Sequence, residues 1–212
     1  IPNNLSQLQQ LVKENNCDVG LAFDGDGDRL GIVDNEAQIV WADRYMILLA
    51  EEISKSYIKA PIIMDVKSSK VFFDEVKKMG CNPIMYKTGH SVIKNEMKRI
   101  NSPLSGELSG HVMYQDDFLG FDDAMYVGLR FLRILSKKTE SLNSIMKLYP
   151  KTYSTPEIRI VVEESKKFEI VDEIKKRILK KNLDVIKIDG VRVNTSNGWW
   201  GIRASNTHNS LT

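Results

Sequence analysis

Residues 24 to 29 read Asp24-Gly25-Asp26-Gly27-Asp28-Arg29 and follow the apolar run Val19–Phe23. In an extended loop, residues i, i+2 and i+4 project to one side, so the three carboxylates converge and repel. A hard divalent cation relieves that repulsion, and the two glycines let the backbone bend around it. Asp24, Asp26 and Asp28 are therefore expected to hold Mg²⁺. Arg29 adds a planar guanidinium able to grip a phosphate with two parallel hydrogen bonds. A carboxylate-held Mg²⁺ beside such an Arg is the equipment of phosphoryl transfer.

Three rival readings compete for this loop. A solvated acidic turn seldom needs three stacked aspartates. An EF-hand wants Gly at position six and Glu at position twelve; those places hold Arg29 and Asn35, and a strand-like run precedes the loop. The calcium-sensor reading fails. An aspartyl phosphatase, with its nucleophilic Asp at a strand end, fits better and remains the alternative enzyme.

Two further clusters carry chemistry. In Gly106-Glu107-Leu108-Ser109-Gly110-His111 the polar residues repeat the alternate spacing, so Glu107, Ser109 and His111 are placed toward one cleft. A carboxylate with a hydroxyl and an imidazole beside it suits a sugar, although a strand with a polar edge reads the same way. Arg203-Ala204-Ser205-Asn206-Thr207 offers a guanidinium, two hydroxyls, an amide and successive backbone N–H groups. That set makes a phosphate cradle, and equally a plain turn. Lys67, at the C-terminal end of an apolar run, suits a ligand or a solvated helix start.

The elements that must position these residues alternate. A helix capped by Asn4 carries Leu5, Leu8, Leu11 and Val12 on one face. Strands are expected at Val19–Phe23, Leu30–Asp34, Pro61–Val66, Pro83–Tyr86 and Pro103–Glu107. Helices are expected at Asp43–Tyr57, Ser69–Met79, after Gly89, and at Asp122–Ser136. This alternation indicates a layered, largely parallel α/β domain with a mixed sheet. From about Lys151 the pattern becomes α+β: a strand at Ile158–Val162, a helix at Phe168–Lys180 and three strand-like runs. Tyr149-Pro150 marks the expected boundary of this smaller C-terminal domain.

Composition narrows the partners. The 212 residues are 42% hydrophobic, enough for one or two real cores. A net charge of +2, with Lys scattered among Glu and Asp, gives no sign of nucleic acid. No apolar run approaches the roughly 20 residues of a membrane span, so no membrane partner is expected. Cys17 and Cys81 have no metal spacing and suggest a reducing, cytoplasmic setting. The chain opens Ile1-Pro2-Asn3-Asn4 with neither methionine nor a signal-like region.

The motifs in order are DGDGDR, Lys87-Thr88-Gly89-His90, GELSGH, GFDD (120–123), DGVR (189–192) and the Arg203–Thr207 loop. This series closely resembles the α-D-phosphohexomutase superfamily, most of all its bacterial phosphomannomutase/phosphoglucomutase branch, from about Leu5 to Thr207. The resemblance implies four domains around one cleft. Residues 1–40 would end the metal-binding second domain, 41–150 form the sugar-binding third, and 151–212 give an incomplete phosphate-binding fourth. It implies Mg²⁺ on Asp24, Asp26 and Asp28, and Arg29 steadying a phosphoserine. Glu107 and Ser109 would bind sugar hydroxyls, and His111 would help proton transfer, which its reference pKa permits. Lys67 and His90 would lie near the substrate, and Arg203, Ser205, Asn206 and Thr207 would clamp its non-reacting phosphate.

The reaction so implied interconverts hexose 1-phosphate and 6-phosphate, of mannose or glucose, through a bisphosphorylated sugar. Hexose 1,6-bisphosphate would be the activator. The Ser-containing GELSGH loop resembles the mannose/glucose type more than the amino-sugar type. The phosphoserine loop of the family is missing, and the fourth domain stops at Leu211-Thr212. The missing N-terminal half is therefore an expected partner, and the isolated chain is expected to bind without catalysing. A phosphosugar-binding remnant is the non-enzymatic alternative.

Overall fold

The computed structural model describes residues 2–205 and 208–212, and divides into two compact units, Ile1–Thr152 and Tyr153–Thr212. The first unit opens with a 3₁₀ turn, Pro2–Leu5, followed by α1 (Ser6–Glu14). The expected Asn4 cap is corrected here. Proline's fixed φ suits a helical turn, so the turn starts early and Asn4 lies inside it. Leu5 is the cap residue and makes no side-chain cap bond. The antiparallel sheet β1 (Val19–Phe23), β2 (Leu30–Asp34) and β3 (Ile39–Val40) follows.

The second sheet has the order β5-β4-β6-β7, formed by β4 (Pro61–Asp65), β5 (Asn82–Tyr86), β6 (Leu104–Gly106) and β7 (Val112–Tyr114). β4 is parallel to both β5 and β6, and β7 is antiparallel to β6. The expectation of a largely parallel domain thus holds for this sheet's centre. The first sheet departs from it because β1 to β3 are joined by short turns, which permit only antiparallel pairing.

Side-chain alternation along β4 feeds two cores. Ile62 and Met64 enter a cluster with α2 (Ala42–Ser56), Phe72 and Val76 of α3 (Lys70–Lys78), and Phe131 of α5 (Ala124–Leu135). Ile63 instead meets Ile93 and Met97 of α4 (His90–Ile100). A strand covered on both faces is apolar along its buried length, which is why Pro61–Met64 reads as a continuous hydrophobic run before Asp65. α2 is buried from Tyr45 to Ala50, while Arg44, Glu51, Glu52 and Lys55 mark its less buried side.

The helix expected at Asp122–Ser136 begins later. Asp123 caps α5 by accepting the Tyr126 N–H through Oδ1 at 2.9 Å, which leaves Asp122 outside the helix. The short elements β3, β7 and α6 (Leu142–Lys147) were not anticipated, since two to six residues carry too little periodicity.

The second unit is α+β. It contains β8 (Ile160–Val161), α7 (Lys167–Leu179), β9 (Asp184–Ile186), β10 (Val191–Thr195), β11 (Gly198–Ile202) and β12 (Ser210–Leu211). β9, β10 and β11 form an antiparallel sheet, and β8 pairs only with the two residues of β12. The strand expected at Ile158–Val162 shortens for that reason. The layered mixed α/β body followed by a smaller α+β unit agrees with the expected fold class.

Candidate functional site

The acidic loop is a closed turn, which corrects the extended geometry expected from its spacing. Gly27 takes φ +73° and donates its N–H to Asp24 O at 3.2 Å. Asp24 Oδ1 then accepts the N–H groups of Asp28 and Arg29, both at 3.1 Å. Convergence of the carboxylates survives through this turn: ligand atoms of Asp24, Asp26 and Asp28 all lie within 4.8 Å of one another. Asp28 Oδ1 is buried without a hydrogen-bond partner, and Asp26 is exposed. An orphaned carboxylate oxygen among three all-oxygen donors fits a hard divalent cation.

Arg29 folds back on this loop, its Nε on Asp24 Oδ2 and 3.7 Å from Asp28 Oδ1. Burial by itself raises the Asp24 pKa, but the hydrogen bonds and charge of Arg29 outweigh it and the net shift is downward. Asp28 shifts upward: burial and the charges of Asp24, Asp26 and Asp122 exceed the opposing effect of His111.

The three parallel strands deliver the remaining loops to one edge. Because β4, β5 and β6 run the same way, their carboxyl ends carry Lys67, Thr88–His90 and Glu107–His111 side by side. Glu107 closes a tight turn, accepting the Gly110 N–H on its carbonyl at 3.0 Å. Its buried carboxylate takes the Gly89 N–H on Oε1 and the Ser109 hydroxyl on Oε2 at 3.2 Å. Again a turn, not strand alternation, gathers the polar residues.

Gly110 makes the junction between the Glu107–His111 turn and the acidic loop. It has φ +101°, and a Cβ there would stand 2.9 Å from Leu30 O. Its carbonyl accepts the Leu30 N–H at 3.1 Å, and Arg29 pairs across with His111 as an antiparallel bridge. His111 Nδ1 consequently lies 3.5 Å from Asp28 Oδ2.

Asp122 was missed by the sequence reading, although it stands in the GFDD motif. Its Oδ2 meets His90 Nδ1 at 2.8 Å and His111 Nδ1 at 3.0 Å, and its Oδ1 accepts Lys94 Nζ at 2.8 Å. The two imidazoles stack with centroids 4.8 Å apart. Burial would raise the Asp122 pKa, but the Lys94 hydrogen bond leads the opposing interactions and the value falls to about 2. Asp65 was missed too. It is fully buried at the end of β4, and burial pushes its pKa up to about 6 against the charge of Lys67 and a Ser68 hydrogen bond. The sequence signal for Asp65 was a carboxylate at the end of an apolar run, and that for Asp122 was its place in the GFDD motif.

In the second unit, Arg203 follows β11, with its Nε on Asp189 Oδ2 at 2.8 Å. Asp189, from the DGVR motif, is a further partner not foreseen. Ser205 is buried, and its Oγ accepts the His208 N–H at 3.2 Å while its N–H reaches Ser210 O at 2.9 Å. The expected phosphate ligands Asn206 and Thr207 lie outside the described residues. Of the expected site residues in the first unit, the structure brings Asp24, Asp26, Asp28, Arg29, His90, Glu107, Ser109 and His111 into one connected cluster. Lys67 borders it through Asp65.

Known protein families match the chain domain by domain. Residues 1–37 match the phosphoglucomutase/phosphomannomutase alpha/beta/alpha domain II, 41–153 match its alpha/beta/alpha domain III, and 157–212 match its C-terminal domain. The chain is 43% identical over 206 residues to a phosphomannomutase/phosphoglucomutase of Pseudomonas putida, covering 97% of this chain and 44% of that protein. It is 38% identical over 208 residues to a phosphoglucomutase of Neisseria meningitidis, covering 97% and 45%. A crystal structure of a phosphoglucomutase/phosphomannomutase family protein from Burkholderia thailandensis superposes with TM-score 0.91 at 36% identity, over 100% of this chain and 45% of that one. The chain thus spans a little under half the length of these relatives. Matched along nearly all its residues by domains II, III and IV in that order, it belongs to the phosphoglucomutase/phosphomannomutase family.

Proposed function

We propose that the protein to which this chain belongs interconverts hexose 1-phosphate and hexose 6-phosphate, of mannose or glucose, through a phosphoserine and a bisphosphorylated hexose. The observation that carries the reading is the contact of His111 with both Asp28 of the acidic loop, at 3.5 Å, and Asp122, at 3.0 Å. A proton-handling group beside a metal-binding group is what phosphoryl transfer to a sugar hydroxyl requires.

Each residue then has a part. Asp24, Asp26 and Asp28 would hold Mg²⁺, which when bound offsets negative charge on a transferring phosphoryl group. His111, with Nδ1 committed to Asp122, offers Nε2 to accept the proton of the attacking hydroxyl. Arg29 exchanges its contact with Asp24 for the phosphoserine's phosphate. Glu107 and Ser109 receive the sugar hydroxyls, with His90 and Lys67 beside them. In the second unit, Arg203, Ser205, Asn206 and Thr207 would bind the non-reacting phosphate, and such remote binding orients the reacting end. The serine is assigned to the portion of the relatives that this chain does not span, with hexose 1,6-bisphosphate as activator. The free thiols Cys17 and Cys81 suit a cytoplasmic setting.

Complementation tests this proposal. The chain is mixed with a family fragment bearing the phosphoserine domain and the rest of the second domain, and primed with glucose 1,6-bisphosphate. Conversion of glucose 1-phosphate to glucose 6-phosphate is expected. No conversion, even by a chain extended through a complete fourth domain, would favour the non-catalytic remnant. Mg²⁺-dependent phosphate release by the chain alone, lost in Asp24→Asn, would favour the phosphatase.

A further inference from the structure

Three loops that carry proposed sugar contacts leave the same edge of the sheet, and one buried carboxylate touches all three. Asp65 ends β4, between the parallel strands β5 and β6. Its Oδ1 accepts the Ser68 hydroxyl at 2.6 Å, from the loop of Lys67. The same oxygen accepts the Leu108 N–H at 3.1 Å, from between Glu107 and Ser109. Its Oδ2 takes the Thr88 hydroxyl at 3.4 Å, two residues before His90. Both oxygens are used as acceptors, by donors from three separate loops.

That pattern explains why the position holds a charged residue in a fully buried place. An asparagine offers one acceptor oxygen and turns an NH₂ toward the other side, so it cannot accept on both. Burial works against ionisation of Asp65, and nearby Glu107 adds repulsion, while Lys67 offsets part of both. A group held against such opposition has its role in what it arranges. The neighbouring contact from Gly89 N–H to Glu107 Oε1 couples two of these loops directly, so a displacement at Leu108 or Thr88 is passed to Glu107.

We propose that Asp65 is a positioning residue for the sugar site: its carboxylate sets Lys67, the Thr88–His90 loop and the Glu107–Ser109 turn relative to one another. The inference rests on the hexose-phosphate reading above. Asp65 itself, with no exposed surface, touches no substrate.

The test uses the 212-residue chain, calorimetric titration with glucose 1-phosphate and, separately, with inorganic phosphate, and a urea melt. Asp65→Asn is expected to melt cooperatively, to keep inorganic phosphate affinity within about twofold, and to bind glucose 1-phosphate about tenfold more weakly. A merely structural role would not split the two ligands in this way. Thr88→Val, which removes one donor and keeps the side-chain shape, should weaken glucose 1-phosphate by a smaller factor of about threefold. It supplies the decisive variant if Asp65→Asn does not fold. Wild-type affinity for glucose 1-phosphate in a folded Asp65→Asn, or equal loss of both ligands, overturns the inference. Should Asp65→Asn not fold, unchanged glucose 1-phosphate binding in Thr88→Val does so. A wild-type chain that binds inorganic phosphate but no hexose phosphate overturns the sugar-site reading and this inference with it.

Discussion

His111 and His90 place their Nδ1 atoms on the same oxygen of Asp122, at 3.0 and 2.8 Å, with their rings stacked. One acceptor oxygen facing two imidazoles selects the Nδ1–H form of each, because an unprotonated nitrogen would face the carboxylate with its lone pair. Lys94 keeps Asp122 ionised from the other side. The consequence is directional: each Nε2 is left as the lone-pair nitrogen, with Ser91 Oγ 3.5 Å from that of His90.

Nitrogen-15 NMR of the histidines checks this relationship. His111 in the wild-type chain should report a protonated Nδ1 and an unprotonated Nε2 near pH 8. Asp122→Ala should return it toward a mixture of tautomers and lower stability by about 1–3 kcal/mol, since three donors lose their acceptor. An Nε2–H tautomer in the wild type would contradict the assignment.

The acidic loop should bind divalent cations in the isolated chain. Calorimetry with MgCl₂ or MnCl₂ is expected to give a saturable signal, and Asp26→Asn should abolish it. Asp26 is exposed and makes no contact needed for the turn, so its substitution leaves the fold intact. Binding that persists in this variant would remove the metal assignment.

Gly110 is the most exacting glycine of the first unit's cluster. Alanine there needs a positive φ and a Cβ 2.9 Å from the Leu30 carbonyl, at the junction of the Glu107–His111 turn and the acidic loop. Gly110→Ala should cost about 1–3 kcal/mol in urea denaturation. Gly198→Ala, whose Cβ meets nothing within 4 Å and whose φ is not positive, should change stability by about 0.5 kcal/mol or less. Equal effects would show that the close approach at Leu30 is not a constraint.

Asp65 should leave a signature in the pH dependence of stability. Its folded pKa of about 6 stands above the ordinary 3.8, so the folded state binds the proton more tightly than the unfolded state. The contribution is fully present below about pH 3.8 and is lost as pH rises through about 6. Across that whole window the wild type should lose on the order of 2–3 kcal/mol relative to Asp65→Asn. Urea melts from pH 4.5 to 7.5 should therefore show the difference between the two proteins moving in favour of Asn as pH rises. Parallel curves would mean that Asp65 does not titrate in this range.

Some features were legible in residue order alone. Carboxylates as close in sequence as Asp24, Asp26 and Asp28 are brought together in most conformations, and their ligand atoms do lie within 4.8 Å of one another. Strand β4 was readable as buried because Pro61–Met64 is apolar, and α2 as a helix because Met46, Ile47, Leu49, Ala50 and Ile53 recur at helical spacing. These are local properties, and local sequence suffices for them. The geometry of the loops was not legible. Spacing suggested extended chains at 24–28 and 107–111, whereas Asp24 and Glu107 each close a turn on their own backbone neighbours. Nor could the sequence assign Asp65, Lys94, Asp122 and Asp189. Each acts through a partner: Asp65 with Leu108, Lys94 with Asp122, Asp122 with His90 and His111, and Asp189 with Arg203. Those pairings depend on which strands lie parallel and which loop crosses which. Only the packed structure decides that, because a carboxylate's role is set by the donors that surround it rather than by its own side chain.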